Sequence, residues 1–282
     1  MRLAWPVRHV LPQLAYGVSY LASKRGSPEE EDVKKLTLLV NEAKWLVQQK
    51  QAKIVLRKID LTRAVIVTNF DAAFAQEEGL KSQAGYVSYI TTKDIKEKPA
   101  VCDIIEFQSV RIDRVVKSTM AAELAALSKA LDRQLYARLV FESVLQGEPE
   151  FGPNWRHQLK IQGIVVTDAK SLYDHLNATG SVPHERQTLI DLLIARDLSE
   201  HNALQIKWVP TAHQLADCLT KMMKLPPTMQ KFLHEQEYSL TMSAQEAEQE
   251  EHLKTLRQGQ RQRRKARDEQ KKKKGETYPN EA

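Results

Sequence analysis

A chain of 282 residues, 42% hydrophobic and 28% charged, can bury one full-sized core and something smaller, and no apolar run approaches the roughly 20 residues of a membrane span. The net charge of +6 comes from one stretch, Lys254 to Lys274, where eleven Lys or Arg face Asp268 and Glu269; the rest is net acidic, which excludes a global basic field for nucleic acid and leaves a local patch. Two cysteines, Cys102 and Cys218, stand far apart in unrelated contexts, which excludes a CxxC zinc pair and a disulfide framework and fits a reducing, intracellular setting, cytoplasm or nucleus.

The first 27 residues carry Arg2, Arg8, Lys24 and Arg25 and no acid, as a transit peptide would. Leu11, Leu14, Ala15, Val18 and Leu21 recur at helical spacing, however, and the spacing predicts an amphipathic helix from Leu11 to Ser23. Gly26 and Pro28 break it. Ser27 then reads as an N-cap and Pro28 as the first helical residue, with Glu29, Glu30, Glu31 and Asp32 complementing the helix dipole. Leu36, Leu39, Val40, Ala43 and Leu46 supply the apolar stripe of this second helix. Two such helices bury little alone and are expected to pack on the domain C-terminal to them.

From Ala64 the period changes. Ala64 to Asp71 is apolar and β-branched, as a buried strand is, and Asp71 reads as its end. Gly85 to Ile90 reads as a second strand and Asp103 to Gln108 as a third. A long helix is expected from Thr119 to Leu145, then a strand from Ile161 to Thr167 that stops at Asp168. Helices are expected over Lys170–Leu176 and Glu185–Leu198, a half-exposed strand over Leu204–Val209, and a last helix over Gln214–Met222. An antiparallel meander succeeded by α/β crossovers implies a mixed sheet with helices on its faces. Beyond Ser243 the composition collapses to Glu, Gln, Lys and Arg and cannot offset its ordering entropy.

Four carboxylates stand at element ends in this reading. Asp71 and Asp168 each come after an apolar strand run, Glu123 lies in the first turns of the long helix, and Asp217 comes just after the final strand. Singly, each has a bland explanation as a turn or dipole residue. Four acids from four elements can converge only if a metal offsets their repulsion, and hard oxygen ligands suit Mg²⁺ or Mn²⁺. Two such ions serve phosphodiester hydrolysis.

The ordered motifs carry a resemblance. Leu14 to Leu21, Thr68-Asn69-Phe70-Asp71-Ala72 with Lys81 to Val87, Ser118 to Leu124, Thr167 to Leu172, and Trp208-Val209-Pro210-Thr211 with Gln214-Leu215-Ala216-Asp217 and Leu219-Thr220-Lys221 match the end of a Pol polyprotein. The chain thus resembles the ribonuclease H domain, with its preceding polymerase-connection segment, of Ty1/copia-type retrotransposons. The resemblance implies a ribonuclease H-like α/β fold with a mixed five-stranded sheet, over 64–223. It implies a helical remnant of the connection region over 1–60 and leaves 224–282 as a charged tail, disordered or helical.

It also implies hydrolysis of the RNA strand of an RNA–DNA hybrid with two Mg²⁺ or Mn²⁺ ions, and Asp71, Glu123, Asp168 and Asp217 as metal ligands and catalytic groups. Other Pol domains are implied as partners. Asn69, Ser118, Thr119, Lys170 and His213 are candidate substrate contacts by nearness to the motifs, since such hybrids are read by shape, phosphates and 2′-OH groups. His213 reads equally as a helix-start surface residue, and His201 as structural or solvent-facing. Tyr86, Tyr89 and Trp208 read as core or sheet-face aromatics, and Gln205 and Lys207 as the solvated face of the last strand. The tail's arginines and lysines add phosphate affinity, serve as a nuclear address, or are a plain charged extension. The rival to an active nuclease is an inactive retroelement relic, favoured by the missing polymerase palm; an integrase of the same superfamily predicts three acids rather than four and no Gln-Leu-Ala-Asp motif.

Overall fold

The computed structural model describes residues 3–147, 155–177, 186–200 and 204–241. His201, the tail beyond Ser243 and the start of the helix expected at Glu185 lie outside the described residues.

The N-terminal segment forms α1 (Ala4–Val10), α2 (Ala15–Ser23) and α3 (Glu30–Gln48). The helix expected from Leu11 therefore begins earlier and is interrupted. Proline lacks an N–H and disfavours a helical residue before it, so Leu11 leaves the helical region (φ −132°, ψ 64°) and Pro12 opens a single 3₁₀ turn. The cap of α3 also differs from expectation: it is Glu29, not Ser27. Glu29 accepts from the backbone of Asp32 while its own N–H donates to Asp32 Oδ2 at 3.0 Å, a reciprocal capping box. Of the expected stripe, Leu39, Ala43 and Leu46 are buried, while Leu36 stays exposed.

Five strands make the main sheet: β1 (Ala64–Glu77), β2 (Lys81–Thr92), β4 (Asp103–Arg111), β5 (Gln162–Thr167) and β6 (Leu204–Trp208), in the order β4-β2-β1-β5-β6. β1, β2 and β4 are antiparallel neighbours, and β5 runs parallel to both β1 and β6. Between them come α4 (Thr119–Gln146), the single turn α5 (Trp155–Gln158), α6 (Lys170–Asn177) and α7 (Arg186–Glu200). This is the mixed sheet that the strand-then-crossover order demands.

β1, β2 and β5 alternate between two cores, while β6 gives Leu204 and Ile206 to one of them and turns Lys207 to solvent. Val65, Val67, Val87, Tyr89, Ile164 and Val166 pack with Leu11, Leu14, Leu39 and Leu46 of the N-terminal helices. Phe70, Ala72, Tyr86 and Val165 pack with Leu124, Leu127 and Leu131 of α4, Leu172 of α6 and Leu192 of α7. The N-terminal helices thus belong to the same packed unit as the sheet, because only the sheet gives their stripe a partner.

The chain does not loosen at Met223, where the sequence alone suggests the start of a tail. It continues as α8 (Pro227–Glu235) and β7 (Glu237–Tyr238), inside a compact unit that reaches Leu240. Met229 and Phe232 are fully buried in the first core, and β7 pairs with the two-residue β3 (Ala100–Val101). Among the described residues no helix is long and apolar enough to cross a membrane.

Candidate metal and phosphodiester site

Asp71 is not at the end of its strand. The apolar run stops at Phe70, but pairing with β2 continues through Asp71↔Gly85, Ala72↔Ala84 and Ala73↔Gln83. What ends is the other side: the parallel pairing with β5 closes at Asn69↔Val166, and β5 itself stops at Thr167. The same register carried two residues on sets Asp71 level with Asp168. Asp71 therefore stands at the edge where β1 loses a neighbour, which is where sites in α/β sheets form.

Asp168 turns the chain out of β5. Thr167 Oγ1 accepts from Ala169 N at 3.0 Å, and Trp208 Nε1 donates to the Asp168 carbonyl at 3.0 Å. Glu123 is the fifth residue of α4, whose start is fixed by Ser118 Oγ accepting from Ala121 N at 3.1 Å. Asp217 opens a 3₁₀ turn (Asp217–Leu219) rather than the α-helix expected over Gln214–Met222. That segment is buried from Gln214 to Thr220 without a solvent face, so helical periodicity had nothing to report on.

The four carboxylates gather. Asp71, Glu123 and Asp217 are buried and Asp168 half-buried, close enough together that neighbouring negative charge adds to burial in raising the Asp71, Glu123 and Asp168 carboxyls. Burial first, then the Asp217 charge, pushes the Asp71 carboxyl up to about 7 against the pull of Thr220 and Lys221. Burial, then Asp71 and Asp168, raises Glu123 well above the ordinary range. Asp168 is raised by burial and by Asp217, opposed by hydrogen bonds from Thr211 and Gln214.

Two residues that belong to the last motif, but that sequence reasoning leaves without a role, complete the cluster. Thr220 Oγ1 donates a short hydrogen bond to Asp71 Oδ2. Lys221 Nζ lies 2.9 Å from Asp217 Oδ1 and 3.9 Å from Asp71 Oδ2. The signal was the Leu219-Thr220-Lys221 stretch itself, which puts a lysine four residues after an acid. Gln214 is a third: its Nε2 donates to the Phe70 carbonyl at 2.9 Å, and its Oε1 accepts from Ala216 N and Asn69 Nδ2, both at 3.2 Å. It stitches the last motif to β1.

Gly85 makes room for that stitching. A Cβ there would lie 2.6 Å from Leu219 Cβ, 2.9 Å from Thr220 Cγ2 and 3.1 Å from the Leu219 backbone carbonyl carbon. Gly85→Ala should therefore push the 217–221 turn off β2, at a cost of about 1–3 kcal/mol. Urea unfolding would read that loss, and Thr220 and Lys221 would retreat from Asp71.

Of the candidate substrate contacts, Asn69 is placed inside, not facing a ligand. It is fully buried, its Oδ1 accepts from Tyr89 OH at 3.0 Å, and its Nδ2 is spent on Gln214. Tyr86 and Tyr89 are core residues. Ser118 and Thr119 are exposed at the start of α4, with the Ser118 hydroxyl engaged as a cap. Lys170 is exposed and pairs with Asp174 at 2.7 Å, over the rings of Tyr173 and Trp208. His213 is half-buried in a 3₁₀ turn (Thr211–His213), its carbonyl accepting from Tyr238 OH at 2.7 Å.

The donor set fits a hard divalent cation in kind: four carboxylates, with the buried Glu123 Oε2 lacking any hydrogen-bond donor. In arrangement it is not yet closed. Among the described residues no group of three or more His, Cys, Asp or Glu is positioned to hold a metal ion, and Lys221 reaches two of the four acids.

The raised carboxyls carry a signed pH dependence. A carboxyl whose folded value lies above its unfolded one adds stability at low pH and loses it as pH rises through the folded value. For Asp71 that window runs from 3.8 to about 7. In EDTA, wild type should lose stability across it relative to Asp71→Asn, leaving the variant the more stable protein at pH 8. Parallel denaturation curves at all pH values would contradict the clustering.

No protein-family model matches the sequence, and no curated protein matches it significantly. Among solved structures the chain is similar to the N-terminal RNase H domain of rv2228c from Mycobacterium tuberculosis, studied as a maltose binding protein fusion, at 20% identity and TM-score 0.34, over 56% of this chain and 91% of that one. It is similar to LC11-RNase H1 in complex with an RNA/DNA hybrid at 16% identity and TM-score 0.35, over 55% and 93%. The foamy viral protease-reverse transcriptase in complex with an RNA/DNA hybrid is similar at 16% identity and TM-score 0.33, over 60% of this chain but 21% of that one. Likenesses this distant leave function to the residues. Among the described residues, the strand order, the strand directions and the flanking helices make the fold ribonuclease H-like, a mixed five-stranded α/β sheet with no closed barrel.

Proposed function

We infer that the chain is a divalent-metal-dependent ribonuclease that hydrolyses the RNA strand of an RNA–DNA hybrid, within the Pol of a Ty1/copia-type element. One observation carries the reading: carboxylates from four elements crowd one another at one end of the sheet, with Asp71 and Asp217 bridged by Lys221 and a buried Glu123 oxygen left without a donor. Such mutual repulsion is unfavourable unless a cation offsets it.

Asp71, Glu123, Asp168 and Asp217 would hold Mg²⁺ or Mn²⁺, two ions in the full reading. Bound there, the metal supplies Lewis acidity toward a phosphodiester and favours ionised water as nucleophile. The protein's own residues orient the ligands: Thr220 fixes one Asp71 oxygen, Gln214 ties the last motif to β1, and the Ser118 cap sets the helix that presents Glu123. Ser118, Thr119 and Lys170, which are exposed, and the half-buried His213 are the remaining candidates for phosphate and 2′-OH contact.

A labelled RNA–DNA hybrid tests this. Cleavage of the RNA strand with Mg²⁺ and none in EDTA supports the reading; no cleavage with Mg²⁺ or Mn²⁺ rejects it. That negative result would favour the second reading, an inactive relic, for which the observation is that no three acids are ready to hold a metal among the described residues.

A further inference from the structure

Lys221 comes four residues after Asp217, so the turn that delivers the acid also delivers an ammonium. Its Nζ makes an ion pair with Asp217 at 2.9 Å and reaches Asp71 at 3.9 Å, and 39% of its side chain remains exposed. The two acids it contacts are two of the four assigned above to a metal, and they come from separate elements, one from β1 and one from the last motif. Thr220, one residue earlier, holds the Asp71 oxygen that Lys221 approaches. Glu123 Oε2 is meanwhile left with no donor, so the ammonium satisfies only part of the set.

We propose that Lys221 is a tethered counter-cation: it holds Asp71 and Asp217 together in the metal-free protein and must swing aside to admit a divalent ion. The inference rests on the metal reading above. The chemistry suits the task. A lysine carries a compact charge on a flexible stem, and a partly exposed head can exchange a carboxylate for water at little cost. An ammonium donates hydrogen bonds but offers no acceptor, so it can replace a cation electrostatically without completing its coordination. The affinity for divalent metal is then set by competition with the chain's own residue, and Lys221 acts as a positioning residue rather than a catalytic one.

The test is binding of Mn²⁺, measured by calorimetry on the full chain. Lys221→Met should bind Mn²⁺ about tenfold tighter than wild type, since a unit charge a few ångströms away and partly solvated is removed. Its melting temperature in EDTA should fall, and saturating Mn²⁺ should raise it by more than it raises wild type. Lys221→Arg should keep the metal-free melting temperature. A measurement on wild type alone guards against a variant that fails to fold: acetylation of Lys221, read by mass spectrometry, should increase on adding Mn²⁺ while that of Lys34, on α3, does not change. If wild type binds Mn²⁺ but Lys221→Met binds it no tighter, or Lys221 becomes no more reactive, the counter-cation proposal falls and the metal reading stands. If neither protein takes up Mn²⁺, both fall.

Discussion

Asp71→Asn should abolish hybrid cleavage, by at least about a thousandfold, while leaving the protein folded. The magnitude comes from the roughly several kcal/mol a metal contributes to charge stabilisation in such chemistry, each ~1.4 kcal/mol being tenfold in rate. An amide keeps one oxygen for Thr220 to donate to but removes the charge that Asp217, Asp168 and Glu123 oppose and that Lys221 approaches. The variant should thus be inactive and, in EDTA above neutral pH, more stable than wild type. Gel assays of the RNA strand and urea curves on the same preparation separate the two effects. Asp217→Asn should behave alike in activity. A residual rate within tenfold of wild type would place the chemistry elsewhere.

The second large effect is on stability. Phe232→Ala should cost about 3–5 kcal/mol, the range for deleting a fully buried aromatic. Phe232 has no exposed surface, and its ring meets Tyr89 edge-on at 5.1 Å and Tyr238 at 6.2 Å. Those tyrosines are anchored in turn: Tyr89 OH donates to Asn69, and Tyr238 OH to the His213 carbonyl. The cavity therefore opens beside the residues that fix Gln214 and the turn carrying Asp217. Loss of hybrid cleavage at temperatures below the variant's melting point would show that coupling. A change under about 1 kcal/mol would mean that α8 packs less firmly than its burial states.

Much of the architecture could be read from the residues, and the misses have common physical causes. The strands over Ala64–Phe70, Ile161–Thr167 and Leu204–Trp208 announce themselves because apolar, β-branched residues crowd them and most of those residues are buried. α4 was legible for a different reason: Leu124, Leu127, Leu131, Leu135 and Leu139 recur at helical spacing within it. Asp71 was misjudged as a strand end because a strand's length is decided by its partner. Ala72 and Ala73 carry little β-propensity, yet β2 pairs with both. The segment around Asp217 was misjudged because it is buried all round, which erases periodicity. α8 and β7 escape a sequence reading because Gln230, Lys231, His234 and Glu235 dominate their composition, while few residues, Met229, Phe232 and Tyr238 chief among them, face inward.

Order and spacing single out the four acids as candidates, but not their neighbours. Asn69 shares the β1 face of Asp71 and reads as a surface contact, but it lies within the stretch still paired with β5, where Tyr89 and Gln214 take up its side chain. Lys221 is visible in the sequence as an acid-plus-four lysine, an arrangement that usually means a solvated helix pair. Only the turn at Asp217–Leu219 and the absent side chain at Gly85 bring it to a second acid.

The β3–β7 ribbon has a consequence for biosynthesis. Val101 emerges from the ribosome well before its partner Glu237, which leaves the exit tunnel only when nearly the whole folded unit has been made. Until then Tyr89 lacks the cover of Phe232 and Tyr238, and the nascent sheet shows an oily flank to solvent. Closing so long a loop is slow and entropically unfavourable. A message that terminated at Met223 would release a chain with every acid of the cluster present and that flank permanently bare, a candidate for chaperone retention and proteolysis before it met any nucleic acid.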